Sequence, residues 1–238
     1  MKRLILALVL FAALSSTALA VDTVTFDAAA VGTSCSPCTS ITYALTVGAN
    51  SNRIVVAGGK TPADDLTGIT YAGNALTLID EQSSTGLLAA HCQAYYILAP
   101  TTGSNNIVFT ASSSAAYLAS QAASYYNVNQ VTPPIKDKGV TDSNVERIQS
   151  LTSVVDNSWG VAFFNNQSGA CSAGAGTNLR ADSGAYASCM GDSGAITPAG
   201  ADNVRMTAGS GNWCSVGFII EPSNQPPAAS FCIRPGIC

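Results

Sequence analysis

From about Val21 onward the chain alternates apolar and polar residues over short runs broken by turn signals, and hardly a segment carries the 3.6-residue period of an amphipathic helix. Successive strand side chains point to opposite faces, so a period of two is what buries one face of a sheet, and an all-β fold is the expectation. The clearest hairpin places Ile69 and Tyr71 on one face, turns at Gly73-Asn74 and resumes alternation with Leu76 and Leu78. Further strands are expected over 39–47, 53–58, 87–98, 106–111, 117–128 and 145–155. After a turn at Asp156-Asn157-Ser158, Trp159, Val161 and Phe163 line one side of another strand, and Val216, Phe218 and Ile220 do the same near the end. Between them, 165–202 is rich in Gly, Ala and Ser and poor in large apolar residues, so long loops are expected there. The spacing suits a single antiparallel β-sandwich over 21–221.

The first twenty residues read differently. Lys2 and Arg3 precede an apolar run over 4–14, and small residues lead into Ala18-Leu19-Ala20, the pattern of a secretory signal peptide cut after Ala20. Residue 21 is Val rather than the Cys a lipid anchor needs, and no later run has the ~18 apolar residues of a membrane-spanning helix, so a soluble, exported domain is expected. Residues 222–238 open on Pro222 and Pro226-Pro227 and read as a Pro-rich, Cys-containing tail, linker or wrapped segment.

All eight cysteines follow the signal: Cys35, Cys38, Cys92, Cys171, Cys189, Cys214, Cys232 and Cys238. An even count in an exported chain points to disulfides, and sequence proximity favours Cys171 with Cys189 and Cys232 with Cys238, with Cys92 and Cys214 as a further pair. Cys35-Ser36-Pro37-Cys38 also has the spacing of a redox dithiol or half a zinc site. Zinc would want a second such pair and thioredoxin chemistry a βαβ setting; neither is present, so structural disulfides are the expectation.

Charge narrows the partners. Losing Lys2 and Arg3 from ten basic residues leaves eight against fourteen acidic ones, a net charge of −6 without a basic cluster. Nucleic acid and anionic membrane surfaces are excluded as partners on that ground. With one histidine and no tight His/carboxylate group, no catalytic metal or other cofactor is expected. Calcium is less excluded: Asp64-Asp65 and the loop aspartates offer oxygens, though without the spacing of a dedicated calcium loop.

The segments Ser51-Asn52-Arg53-Ile54-Val55-Val56, Ile69-Thr70-Tyr71-Ala72-Gly73-Asn74-Ala75-Leu76-Thr77 and Tyr95-Tyr96-Ile97-Leu98-Ala99-Pro100, with Gly103 and the strand after it, resemble in their order a group of secreted bacterial and phage-surface jelly-roll sandwiches. The resemblance covers roughly 40–165 and the final strand. It implies a jelly-roll-like fold and a role in surface layers, appendages, adhesion or glycan contact, and it carries no functional residues with it.

A second, weaker resemblance is to chymotrypsin-like serine proteases, through Ala89-Ala90-His91-Cys92 and Cys189-Met190-Gly191-Asp192-Ser193-Gly194, with Arg53-Ile54-Val55 and Gly58-Gly59 faintly like their activation site. It implies Ser193 as nucleophile, His91 as base and the N–H groups of Gly191 and Ser193 as oxyanion donors. Leu88 and Ala195 break the two motifs, and the orienting carboxylate would have to come from Asp137, Asp142 or later, since none lies between Glu81 and Asp137. A second Asp182-Ser183-Gly184 marks Asp-Ser-Gly as local turn chemistry.

Tyr95, Tyr96, Tyr125, Tyr126, Trp159 and Trp213 are the candidates for stacking on sugars, with alternation sending one ring of each Tyr-Tyr pair inward and the other outward. Asn166-Gln167-Ser168 matches a glycosylation acceptor. The leading expectation is an exported, non-catalytic structural or adhesive surface protein that can self-assemble through exposed strand edges. A glycan-binding module and a divergent serine protease are the alternatives.

Overall fold

The computed structural model describes residues 22–61, 66–83, 91–115, 117–166, 169–184 and 188–223. The expected signal peptide, Asp64-Asp65, Ala89-Ala90, Gln167-Ser168 and the expected pairing of Cys232 with Cys238 lie outside the described residues.

All regular structure among them is antiparallel β. The strands are β1 (Thr25–Val31), β2 (Cys38–Val47), β3 (Ile54–Thr61), β4 (Leu66–Tyr71), β5 (Asn74–Ala75), β6 (Thr77–Ser83), β7 (His91–Leu98) and β8 (Gly103–Ala115). They continue with β9 (Ala119–Tyr126), β10 (Ile135–Thr152), β11 (Ser158–Asn165), β12 (Ser172–Ala173), β13 (Asn178–Asp182), β14 (Ser188–Ile196) and β15 (Ala201–Ile220). Three sheets result: a central one in the order β1-β9-β3-β7-β6, an outer one in the order β2-β8-β4-β5, and a long one in the order β10-β15-β11-β14-β13 with β12 beside β15.

The central sheet is covered on both faces, so the sandwich has three layered sheets. Ile54 and Val56 of β3 face Val161, Phe163, Val216 and Phe218 of the long sheet. Val55 and Ala57 face Ile41, Ile69, Ile107 and Phe109 of the outer sheet. Every residue of β3 is buried, and β9 reads Ala-Ser-Gln-Ala-Ala-Ser-Tyr-Tyr, small enough to let a sheet approach from each side. Gly58 and Gly59 sharpen the point. A Cβ on Gly58 would stand 2.7 Å from the Phe163 ring, and one on Gly59 would stand 3.0 Å from Phe109 on the opposite face, so consecutive glycines make room for one phenylalanine from each flanking sheet.

The long sheet folds over itself. β10 pairs with β15 in two stretches, Ile135–Thr141 against Trp213–Ile219 and Glu146–Thr152 against Ala201–Thr207, separated by register shifts around Asn144. The second stretch doubles back: a Cβ on Gly160 would meet Leu151 at 3.0 Å and Val204 at 3.5 Å. Leu151, Val204 and Met206 thereby close a third core over Ala162, Phe164, Trp213 and Ile219.

Local expectations are corrected in two places. The β4–β5 turn is Ala72-Gly73, one residue earlier than read, because Tyr71 pairs with Asn74; both turn residues have positive φ, 50° and 79°, as a hairpin of primed type requires. The segment 165–202 contains β12, β13 and β14 rather than only loops, since neighbouring strands supply the hydrogen bonds and the large side chains it lacks. Disulfides Cys35–Cys38, Cys92–Cys214 and Cys171–Cys189 are formed, and the second ties the central sheet to the long one across 122 residues of sequence.

Candidate functional site

The residues of the protease-like motifs do not converge. Asp192 accepts a hydrogen bond from the Tyr125 hydroxyl at 3.1 Å, and Tyr125 is the register partner of Ile54. His91 is the register partner of Thr61, seven positions further along the same strand (61 − 54). Ser193 is bonded to Gly160, and Asn165, five positions further along β11 (165 − 160), donates to Cys92 Sγ beside His91, so at about 3.3 Å per residue about 17 Å of strand separates the serine from the histidine. Ser193, next to Asp192, points to the opposite side of its strand, where its hydroxyl accepts from the Gly160 N–H at 3.0 Å and donates to the Gly194 carbonyl at 2.9 Å. Asp137 lies in β10 opposite Gly217, where its charge acts on Arg147.

What the Asp-Ser-Gly segment builds is a buried clamp. Asp192 is fully buried, and its carboxylate accepts from Arg180 Nε and Nη2, from Asn178 Nδ2 at 2.9 Å, from Tyr125 and from the Gly194 N–H at 3.2 Å. The Arg180 guanidinium lies over Phe26 at 4.1 Å and Trp159 at 5.8 Å, which joins β1, β11, β13 and β14 around one ion pair. Burial, and then the Asp192 charge, push the Tyr125 hydroxyl well above its ordinary pKa. A carboxylate held by five donors is a structural anchor.

The opposite end of the central sheet carries a buried cation. Lys60 is 3% exposed; its ammonium donates to the Asn166 carbonyl at 2.8 Å and lies 4.7 Å over the Tyr117 ring. Burial pushes its pKa down to about 8. Around it Gln121 and Ser188 exchange hydrogen bonds between sheets, and the Asn165 amide donates to the Gly59 carbonyl. Lys60 and Arg180 belong to no motif in the sequence; the one signal for Lys60 is its place at the end of the apolar run Ile54-Val55-Val56-Ala57-Gly58-Gly59.

The stacking candidates divide by exposure. Trp213 and Tyr125 are fully buried and Tyr95 nearly so, which removes them as sugar platforms. Trp159 is committed to Tyr125 and Arg180, and Tyr126 is half-buried. Tyr96 faces a groove. Asn166 is fully buried and its amide donates to the Gly209 carbonyl, so the folded chain has no room for a glycan there. Cys35 and Cys38 are bonded to each other, and among the described residues no cluster of three His, Cys, Asp or Glu could hold a metal ion.

The groove, with a volume of about 510 Å³, runs between β6 and β10, which among the described residues are edge strands of the central and the long sheet. Leu78, Ile79, Tyr96, Pro133, Pro134 and Ile135 make it mainly apolar, and Thr132 and Lys136 add polar groups. Leu78 and Ile135 are 43% and 41% exposed, and Lys136 reaches Asp80 of β6 at 3.8 Å. Exposed apolar side chains thus lie beside strands that are edges among the described residues.

Comparison with known proteins gives no further guide. No family model, no curated protein and no solved structure matches the chain.

Proposed function

We propose that the protein is an exported, non-catalytic structural or adhesive surface protein that makes its contacts through the β6 and β10 edges and the groove between them. The observation that carries this reading is the groove, which joins large exposed apolar side chains to two strands that are edges among the described residues. The side chains that suggested chemistry support it from the other side: Asp192 and Ser193 are engaged in holding strands together. Three disulfides, one of them between strands of different sheets, fit an oxidising, extracellular setting, as does the amino-terminal signal pattern. In sedimentation velocity and surface-attachment assays, the chain beginning at Val21 should self-associate or adhere, and Leu78→Asp with Ile135→Asp should abolish either. A strict monomer that attaches to no cell surface overturns the reading.

A second reading, glycan contact, draws on Tyr96 in the groove beside the Thr132 hydroxyl and the Lys136 ammonium. A glycan array that responds to the wild type and not to Tyr96→Ala supports it, and a flat array with and without calcium removes it.

A further inference from the structure

The chain passes from the central sheet to the outer one between β1 and β2, each the end strand of its sheet among the described residues. This crossover runs beside residues that join β8 to β9. The Gly32 N–H donates to the Ser120 carbonyl at 2.9 Å, the Cys35 N–H to the Leu118 carbonyl at 3.2 Å and the Leu118 N–H to the Cys35 carbonyl at 2.9 Å, while Cys38 pairs with Ala115. Backbone pairing therefore holds the segment on both sides of the Cys35–Cys38 bridge without passing through the sulfurs. The three bridges differ in what they contribute and in what can reach them. Stabilisation through chain entropy grows as the 3/2 power of the closed loop, so with separations of 3 and 122 residues Cys35–Cys38 adds about 260-fold less to the folding equilibrium than Cys92–Cys214. Cys92, Cys189 and Cys214 are fully buried and Cys171 nearly so, whereas Cys35 and Cys38 are half-buried and Ser36 and Pro37 between them are exposed. The bridge that the fold needs least is the one a reagent can reach.

We propose that Cys35–Cys38 is a thiol-exchange site at which small monothiols attach reversibly. The incoming thiolate bonds to Cys38 Sγ, the Sγ–Sγ bond breaks, and Cys35 leaves as a thiolate that takes a proton from water. Cys35 is the leaving sulfur because it lies 3.8 Å from the Ser40 carbonyl oxygen: a freed S–H can donate there, and a sulfur in a disulfide has no proton to give. Backbone pairing keeps Cys35 beside the mixed disulfide, so, deprotonated again, it can expel the monothiol and close the bridge. No helix among the described residues supplies a dipole to activate the thiol, so the site acts as a stoichiometric catch rather than a catalyst. Both cysteines pack partly against the core of the outer sheet, which suits a slim monothiol better than a cysteine on a folded partner. The site lies on the β1 side of the central sheet, at the opposite end of the strand order from β6 and the groove, so it is independent of the contact reading above.

A time course of the folded protein in reduced glutathione, quenched with acid, alkylated and mapped by peptide mass analysis, reads each bridge separately. Cys35–Cys38 should open about a hundredfold faster than Cys92–Cys214 and Cys171–Cys189, with the near-ultraviolet circular dichroism unchanged. In Cys35→Ser no second thiol can expel the adduct, so oxidised glutathione should leave a stable adduct on Cys38. Opening no faster than that of the buried bridges overturns the proposal, as does opening that occurs only together with loss of the native dichroism. A Cys38 that takes no adduct in folded Cys35→Ser overturns it as well.

Discussion

Replacing Lys60 with Met tests the buried end of the central sheet through its pH dependence. The ammonium is taken out of water, its partners among the described residues are the Asn166 carbonyl and the Tyr117 face, and its pKa falls from 10.5 to about 8. A lysine that is easier to deprotonate in the folded state binds fewer protons there than in the unfolded chain between about pH 8 and pH 10.5. Stability therefore rises with pH across that window, and the full cost of the buried charge is present below it. For a shift of this size the linkage relation gives a cost of about 3 kcal/mol at pH 7, falling to about 1 kcal/mol at pH 10. Urea denaturation of wild type and Lys60→Met at both pH values isolates this contribution, because every other titrating group cancels in the difference. The wild type should gain about 2.5 kcal/mol on the variant from pH 7 to pH 10. A difference that is flat, or that moves the other way, would mean that Lys60 is solvated or paired with an anion, and would refute the argument.

Three further perturbations probe what holds the strands together. Removing Cys92–Cys214, which closes 122 residues, should cost about 5 kcal/mol on loop entropy, and removing Cys171–Cys189, which closes 18, about 3 kcal/mol; equal losses in melts of the two double-serine variants would contradict that ordering. Asp192→Asn leaves Arg180 without its counter-charge and should cost about 3 kcal/mol, the low end for a broken buried pair because the arginine side chain keeps 20% of its exposure. A change within about 0.5 kcal/mol would show that the clamp is an ordinary surface ion pair.

Much of the strand layout is legible in the residue pattern. Ile69, Tyr71, Val161, Phe163, Val216 and Phe218 alternate and are buried as alternation requires. The third sheet is not, because most of β9 is Ala and Ser, which carry little hydropathic contrast, and burial on both faces erases the period of two. The strands within 165–202 are hidden for a related reason: Ser188 and Asp192 read as loop polarity, yet each is buried against partners far away in sequence, Gln121 for one and Tyr125 for the other. The Asp192-Ser193-Gly194 segment resembles a catalytic motif in one dimension and is a clamp in three. The groove has no signature in the sequence, since it depends on which strands end up at the edges of two different sheets.

The claim that the reactive-looking residues serve the fold is tested most directly by treating the native protein with a fluorophosphonate probe, which labels only serines activated as nucleophiles. With Ser193 bonded to Gly160 and Gly194, and His91 about 17 Å of strand away, Ser193 should remain unmodified in peptide mass analysis. Labelling of Ser193 that is lost in His91→Ala would contradict the account and make the protein an enzyme.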